Sequence, residues 1–428
     1  MRIVDLRGRY YRENRELKEL IERSEIEVET YEKSVREIIS AVKEEGDTAV
    51  LRYTKFFDKV DLSPDDMVVP YSELEKAYEE LDPETRWTYE VTVERITEFH
   101  SLQLEKSFFK EESGMILGQK VLPLERVGLY VPGGKAAYPS SVIMNAIPAK
   151  VAGVKEIVMS SPNPNRCTLA AAFICGIGTV YRIGGAQAVA AMAFGTKTVK
   201  KVDKIVGPGN IYVALAKKNL YGYVDIDMIA GPSEILVIAD DTANPRWVAT
   251  DLLSQAEHDE LAAAILVTTS MDLAREVKEI LYRELLVDFS RKEIAQKSLD
   301  NYGHIFVVDD LNIACEVSNY IAPEHLEIVT KNPFDLLNNI KNAGAIFLGE
   351  YSTEPLGDYI LGPNHVLPTA SSARFSSPLG VYDFLKRSSI IYVSKEGFER
   401  VAKHAINMAK SEGLDAHKMS VEIRLNTF

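Results

Sequence analysis

Arg126-Val-Gly-Leu-Tyr130-Val131, Glu156-Ile-Val-Met159, Val180-Tyr-Arg-Ile183 and Lys204-Ile-Val206 are short β-branched runs, and each leads into an apolar helical stretch. Those stretches are Ser141–Val151, Thr168–Ile174, Ala186–Phe194 and Ile211–Leu220. Such alternation predicts βαβ units on a parallel sheet. A run at Ile235–Ala239 is expected to close the block as its last strand. A second block opens at Asn244-Pro245, where Asn as N-cap and Pro at the first helical position start a helix toward His258. Strands are expected there at Ala263–Thr268, His304–Val308 and Ala345–Leu348, with helices near 272–286 and 309–320 between them.

Ahead of both blocks, residues 13–110 are rich in Glu and Lys, with Val35, Ile38, Ile39 and Val42 at helical spacing. They read as an amphipathic helical lead-in. Residues 350–380, rich in Gly, Pro and Ser, are expected to form loops around a site, and a helix near 396–410 follows. There is no internal repeat.

Bulk composition narrows the function. A length of 428 residues implies two or more domains, and 46% apolar with 26% charged residues is an ordinary globular composition. The net charge of −14, without a basic cluster, argues against nucleic acid as a partner. Cys167, Cys175 and Cys315 lie in apolar contexts without a CxxC, and read as reduced core residues. The first residues show no signal peptide, and the apolar runs Ala188–Phe194 and Leu261–Val267 are far short of a membrane span. A cytoplasmic protein without membrane partners is expected.

Glycine clusters fall at the ends of predicted strands: Pro132-Gly133-Gly134, Gly184-Gly185-Ala-Gln187 and Gly207-Pro208-Gly209-Asn210. Turns there suit a dinucleotide, because helix N-termini face the crevice at the strand ends. The full fingerprint is absent, since Tyr181 and Tyr212 stand where its third glycine belongs. Plain strand–helix turns fit equally well.

Four of the seven histidines sit beside acidic or amide side chains near the end of the chain. The clusters are Gln255-Ala-Glu-His258, Pro323-Glu324-His325, Gly357-Asp358 through His365, and Glu412-Gly-Leu-Asp-Ala-His417. Gln255 and His258 share a helix face near its C-terminus, although a surface histidine at a helix end is the simpler reading of His258 alone. Asp358 either serves a site or stabilises a turn, and His417 stands in a polar tail. Two imidazoles, a carboxylate and an amide oxygen could hold zinc, but the spacing matches no standard zinc motif. Glu324 and His325 would point to opposite faces of a strand, so both reach one substrate only from an irregular start, which Pro323 supplies. They offer a carboxylate to activate water and a base for a hydroxyl proton. A solvated Glu and a capping His are the alternative.

In order along the chain, Arg126-Val-Gly-Leu-Tyr130-Val-Pro-Gly-Gly, Gly184-Gly185-Ala-Gln187-Ala, Val206-Gly-Pro-Gly-Asn210, Ala230-Gly-Pro-Ser233-Glu, Ser254-Gln255-Ala-Glu-His258-Asp, Ala322-Pro-Glu324-His325-Leu and Glu412-Gly-Leu-Asp-Ala-His417 together resemble the histidinol dehydrogenase family. The resemblance implies oxidation of L-histidinol to L-histidine through histidinal, with two hydride transfers to NAD, as the last step of histidine biosynthesis. It implies one zinc per subunit, held by Gln255, His258, Asp358 and His417. Glu324 and His325 would be the catalytic pair; Tyr130, Gln187 and Asn210 would contact NAD; and Ser233 and Glu412, with His325 and the zinc ligands, would contact substrate. It further implies a homodimer in which Glu412 and His417 complete the partner's site. His365 has no implied role.

The expected fold class is α/β, with two Rossmann-like, incomplete doubly wound domains, a helical N-terminal segment and a small C-terminal tail domain. The expected division is a helical arm at 1–25, a first α/β domain at 26–125 and 240–375 carrying the zinc and catalytic residues, a second at 126–239 binding NAD, and a tail domain at 376–428. A zinc hydrolase with Glu324 as general base, and a non-catalytic binding protein on the same scaffold, are the competing readings. The hydrolase leaves the glycine-turn block without a purpose.

Overall fold

A computed structural model of the chain describes residues 1–23, 28–133 and 138–426. The quoted block forms a five-stranded parallel sheet in the order Thr179–Tyr181, Glu156–Ser160, Arg126–Tyr130, Lys204–Val206, Asp225–Ile226. Its central strands are buried on both faces, as a crossover topology requires. Val127, Leu129 and Val131 enter one core with the helices Pro139–Ala152 and Arg166–Ile174. Tyr130 and Val158 face the other, with Gly185–Phe194 and Ile211–Leu220. The period-two alternation of a strand therefore sorts one apolar run between two helical layers.

The second sheet has six parallel strands, ordered Arg2–Asp5, His304–Val307, Ala263–Thr268, Glu234–Ala239, His325–Val329, Ala345–Leu348. The expectation for Ile235–Ala239 is thereby corrected. The strand does not close the first block but lies inside the second sheet, between Ala263–Thr268 and His325–Val329. A run buried on both faces carries no mark of which sheet it joins, so adjacency in sequence misled. The start of the chain is corrected too: Arg2–Asp5 pairs with His304–Val307 as an edge strand, and the helix Arg15–Glu22 follows it. Strong charges at both ends of Arg2–Asp5 suit a half-exposed edge and disguise a strand.

The lead-in holds the helices Val28–Glu45, Asp47–Phe57, Tyr71–Glu79 and Pro83–Ser101. It ends earlier than expected, in the strands Phe108–Glu112 and Met115–Pro123. These join Leu385–Val393 in a three-stranded antiparallel sheet. Two further corrections concern site residues. Asp358 lies on a short helix, Glu354–Tyr359, rather than in a loop, and His417 lies on the last helix, Asp415–Asn426. No helix among the described residues is long and apolar enough to cross a membrane.

Candidate active site

In the six-stranded sheet the chemistry gathers at the amino ends of the strands. Crossover helices run antiparallel to the strands they connect, so their C-termini return to that edge. The helix Pro245–Ala256 thus delivers Gln255 and His258 there. The helix Leu311–Ile321 ends at Ala322, whose positive φ of 55° turns the chain through Pro323 into Glu324 and the strand His325–Val329. Glu324 therefore precedes the first strand residue, and both side chains can serve one pocket.

Glu324 is neither solvated nor a surface acid: it is 7% exposed. Its Oε2 accepts a hydrogen bond from Glu234 N at 2.9 Å and lies 3.8 Å from His325 Nδ1. Burial pushes its carboxyl up to about 8. His325 Nδ1 lies 3.0 Å from the carbonyl oxygen of Glu234, so that nitrogen carries the proton. Nε2 is left facing Asp358 Oδ1 at 3.4 Å, buried and without a hydrogen-bond partner among the described residues. Burial alone would lower the His325 pKa, but the Glu324 and Asp358 carboxylates outweigh it and raise it to about 10.

Asp358 brings a neighbour that the sequence did not single out. His325, Glu354 and Asp358 each offer a ligand atom, and these atoms lie within 4.8 Å of one another. Glu354 is 2% exposed, accepts from Ser254 Oγ at 3.1 Å, and is pushed up to about 7 chiefly by burial. Its main-chain N–H donates to the buried acid Glu327 at 2.8 Å. Burial would raise Asp358 as well, yet His325 and the charge of His365 bring it below its ordinary value. His365, without a role in the sequence reading, donates from Nδ1 to the carbonyl oxygen of Asp358 at 3.0 Å and so braces that helix. Glu354 stands four residues before Asp358, and that spacing on one helix face was its available signal.

The other expected metal ligands divide. Gln255 is 1% exposed, and its Oε1 is buried without a partner among the described residues. A buried amide oxygen left over in this way is one that a cation would satisfy. His258 is exposed at the rim, yet enough atoms crowd its ring to lower its pKa, against the pull of Asp358. These residues fit a divalent ion. Glu412 and His417 are not brought in: both are exposed on the C-terminal helices, and their side chains make no hydrogen bond or ion pair among the described residues. Ser233 is half-buried and its carbonyl accepts from Ala263 N.

The expected dinucleotide contacts lie at the carboxyl ends of the five-stranded sheet. Tyr130 Oη accepts from Gly185 N at 3.0 Å, and burial pushes its hydroxyl up to about 12. Gln187 is 1% exposed, and neither amide atom has a partner among the described residues, so it too fits a ligand contact. Asn210 Oδ1 caps the helix Ile211–Leu220 through Tyr212 N and Val213 N, which is the plain turn role. Gly207, at φ 111°, packs where an added Cβ would collide with the Tyr130 carbonyl. Gly134 of the first glycine cluster lies outside the described residues. Cys175 and Cys315 are buried, with thiols pushed by burial up to about 12 and 11, while Cys167 is only half-buried.

The family model for histidinol dehydrogenase matches residues 21–425. The chain belongs to the histidinol dehydrogenase family. It is 64% identical over 426 residues to the histidinol dehydrogenase of Aquifex aeolicus, covering 100% of both chains. It is 54% identical to that of Clostridium acetobutylicum over 401 residues, 92% of each. The crystal structure of histidinol dehydrogenase from Elizabethkingia anophelis superposes with a TM-score of 0.93 at 37% identity, covering 100% of this chain and 98% of that one. Membership makes the protein an oxidoreductase of histidine biosynthesis and leaves the hydrolytic reading without support.

Proposed function

We propose that this histidinol dehydrogenase family member oxidises L-histidinol to L-histidine through histidinal, using NAD twice and one zinc per subunit. The observation that carries the reading is His325 Nε2, buried, unpartnered and flanked by carboxylates, with Glu324 beside it. The raised His325 value belongs to the metal-free chain; with a cation neutralising the Asp358 carboxylate the imidazole would be neutral. His325 then takes the hydroxyl proton at Nε2 as the alcohol carbon loses hydride, while the Glu234 carbonyl steadies the ring through Nδ1. Glu324 takes a proton from the water that hydrates histidinal. Loss of the second hydride from the hydrate then leaves the carboxylic acid, which gives up its own proton to solvent as the carboxylate. Glu234 N–H stabilises Glu324 in its ionised form.

Gln255, His258 and Asp358 would hold zinc, with His417 from the partner subunit of a homodimer; zinc, when bound, supplies a fixed anchor for the substrate nitrogens. NAD, when bound near Tyr130, Gln187 and Asn210, supplies the hydride acceptor. The same ligands together with His325, Ser233 and the partner's Glu412 would contact substrate. Exposure of Glu412 and His417 within one chain supports the shared site. We place the zinc and catalytic residues on the six-stranded sheet, which the strand Glu234–Ala239 joins. We place the NAD contacts on the five-stranded sheet, whose cores also take up the helices of 28–101 in place of the expected grouping of 26–125 with 240–375, and the protein in the cytoplasm. Purified protein given L-histidinol and excess NAD should release two NADH per histidinol. One equivalent, or none, would refute the four-electron reading.

A further inference from the structure

Glu234, next to Ser233, hydrogen-bonds the side chains of both members of the catalytic pair. In a parallel sheet the N–H and C=O of a residue point to the same neighbouring strand. At Glu234 that neighbour is His325–Val329, and the two groups meet Glu324 Oε2 at 2.9 Å and His325 Nδ1 at 3.0 Å. The orientation of one residue's main chain therefore sets the position of the carboxylate and the tautomer of the imidazole.

What fixes that orientation is the Glu234 side chain. Its carboxylate is 1% exposed and accepts from Ala370 N at 2.8 Å. Arg23 Nη2 lies 3.0 Å away, with the Arg23 side chain 6% exposed. Arg23 comes from the end of the helix Arg15–Glu22, and its Nη1 donates to Leu20 O at 2.9 Å. The loop it grips is itself constrained: Ala370 and Ser371 have φ of 51° and 60°, Thr369 Oγ1 accepts from Gly231 N at 2.6 Å, and Ser371 Oγ donates to Ile321 O at 2.6 Å. The N-terminal helix, the loop after His365 and the strand of Glu234 thus meet at one buried ion pair. Two charges out of water are no better for stability than a packed apolar pair, so the pair is better explained by what it orients.

We infer that Glu234 is a positioning residue for Glu324 and His325, and that Arg23 holds it in place from the N-terminal arm. The inference rests on the assignment of Glu324 and His325 as the catalytic pair. Misplacing a reacting group by about 1 Å can cost on the order of 100-fold in rate. Glu234→Gln and Arg23→Met are each expected to lower kcat roughly 10- to 100-fold, with KM for histidinol within about 3-fold and zinc content unchanged. The double variant, which removes both charges, should turn over faster than Arg23→Met alone, and Arg23→Lys should retain most of the rate. His325→Asn serves as the control. If His325→Asn turns over normally, the catalytic assignment fails. If His325→Asn is inactive while both single variants keep kcat within about 2-fold, or if they lose zinc or raise KM instead, the positioning role is overturned. Should Arg23→Met not fold, Glu234→Gln and Arg23→Lys carry the same test.

Discussion

At Glu324 a buried carboxyl is held by one main-chain N–H and faces an imidazole. Its folded value of about 8 lies above the ordinary 4.5. That burial contributes stability relative to the charged form fully below about pH 4.5, and the contribution is lost as pH rises toward 8. His325, raised from 6.5 to about 10, behaves in the same direction over a higher window. The metal-free protein should therefore lose thermal stability between about pH 5 and 9, and Glu324→Gln should flatten that loss by removing the first effect and weakening the second, which Asp358 also sustains. A melting curve of chelator-treated protein at several pH values decides; an unchanged slope in the variant would refute the burial argument. The His/acid clusters were legible in the residues, since titrating side chains beside acids stand out along a chain. Glu354 and Glu234 were not, because a single acid in Thr353-Glu354-Pro355 or after Ser233 looks like any surface acid until its burial is known.

At the scale of elements, the strand–helix alternation from Arg126 to Leu220 was readable because buried parallel strands and apolar helices differ in length and period. Sheet membership was not readable, as Glu234–Ala239 shows: pairing is a non-local property. The antiparallel strands Phe108–Glu112, Met115–Pro123 and Leu385–Val393 were missed because their short apolar runs lie among charged, half-exposed positions and do not alternate with the apolar helices that marked the others. One element carries a sharp energetic consequence. Lys217, on the helix Ile211–Leu220, pairs with Asp227 and donates to Gly207 O at 2.9 Å, while Gly207 N donates to Asp227 Oδ2 at 2.7 Å. Both side chains are almost wholly buried, so Lys217→Met leaves an uncompensated carboxylate under the glycine turn. It should destabilise the fold by roughly 3–5 kcal/mol and weaken NAD binding. Chemical denaturation and calorimetric titration with NAD read the two effects, and a loss below about 1 kcal/mol would count against a structural role for the pair.

For the molecule as a whole, an acidic surface and two parallel sheets were foreseeable, whereas the convergence of distant segments was legible only through the family resemblance. Spacing alone could not have joined Gln255 to Asp358, about a hundred residues apart in sequence. The C-terminal helices pack on each other and leave His417 facing outward, which is how a shared site would look in one subunit. Inactive His417→Asn and inactive Glu324→Gln proteins, mixed under conditions that exchange subunits, should regain up to about a quarter of parent activity, since one hybrid site carries neither substitution. No recovery despite verified exchange would confine each site to a single chain.

Two rival cation sets share Asp358: the proposed one, with Gln255, His258 and the partner's His417, and the one the structure gathers, with His325 and Glu354. A crystal structure of the zinc-loaded protein with histidinol, its metal located by anomalous scattering, separates them directly. Zinc is expected on Gln255, His258, Asp358 and His417 of the partner subunit, with His325 Nε2 left to meet the substrate hydroxyl. Zinc bonded to His325 and Glu354 would remove the base from the reaction and contradict that assignment.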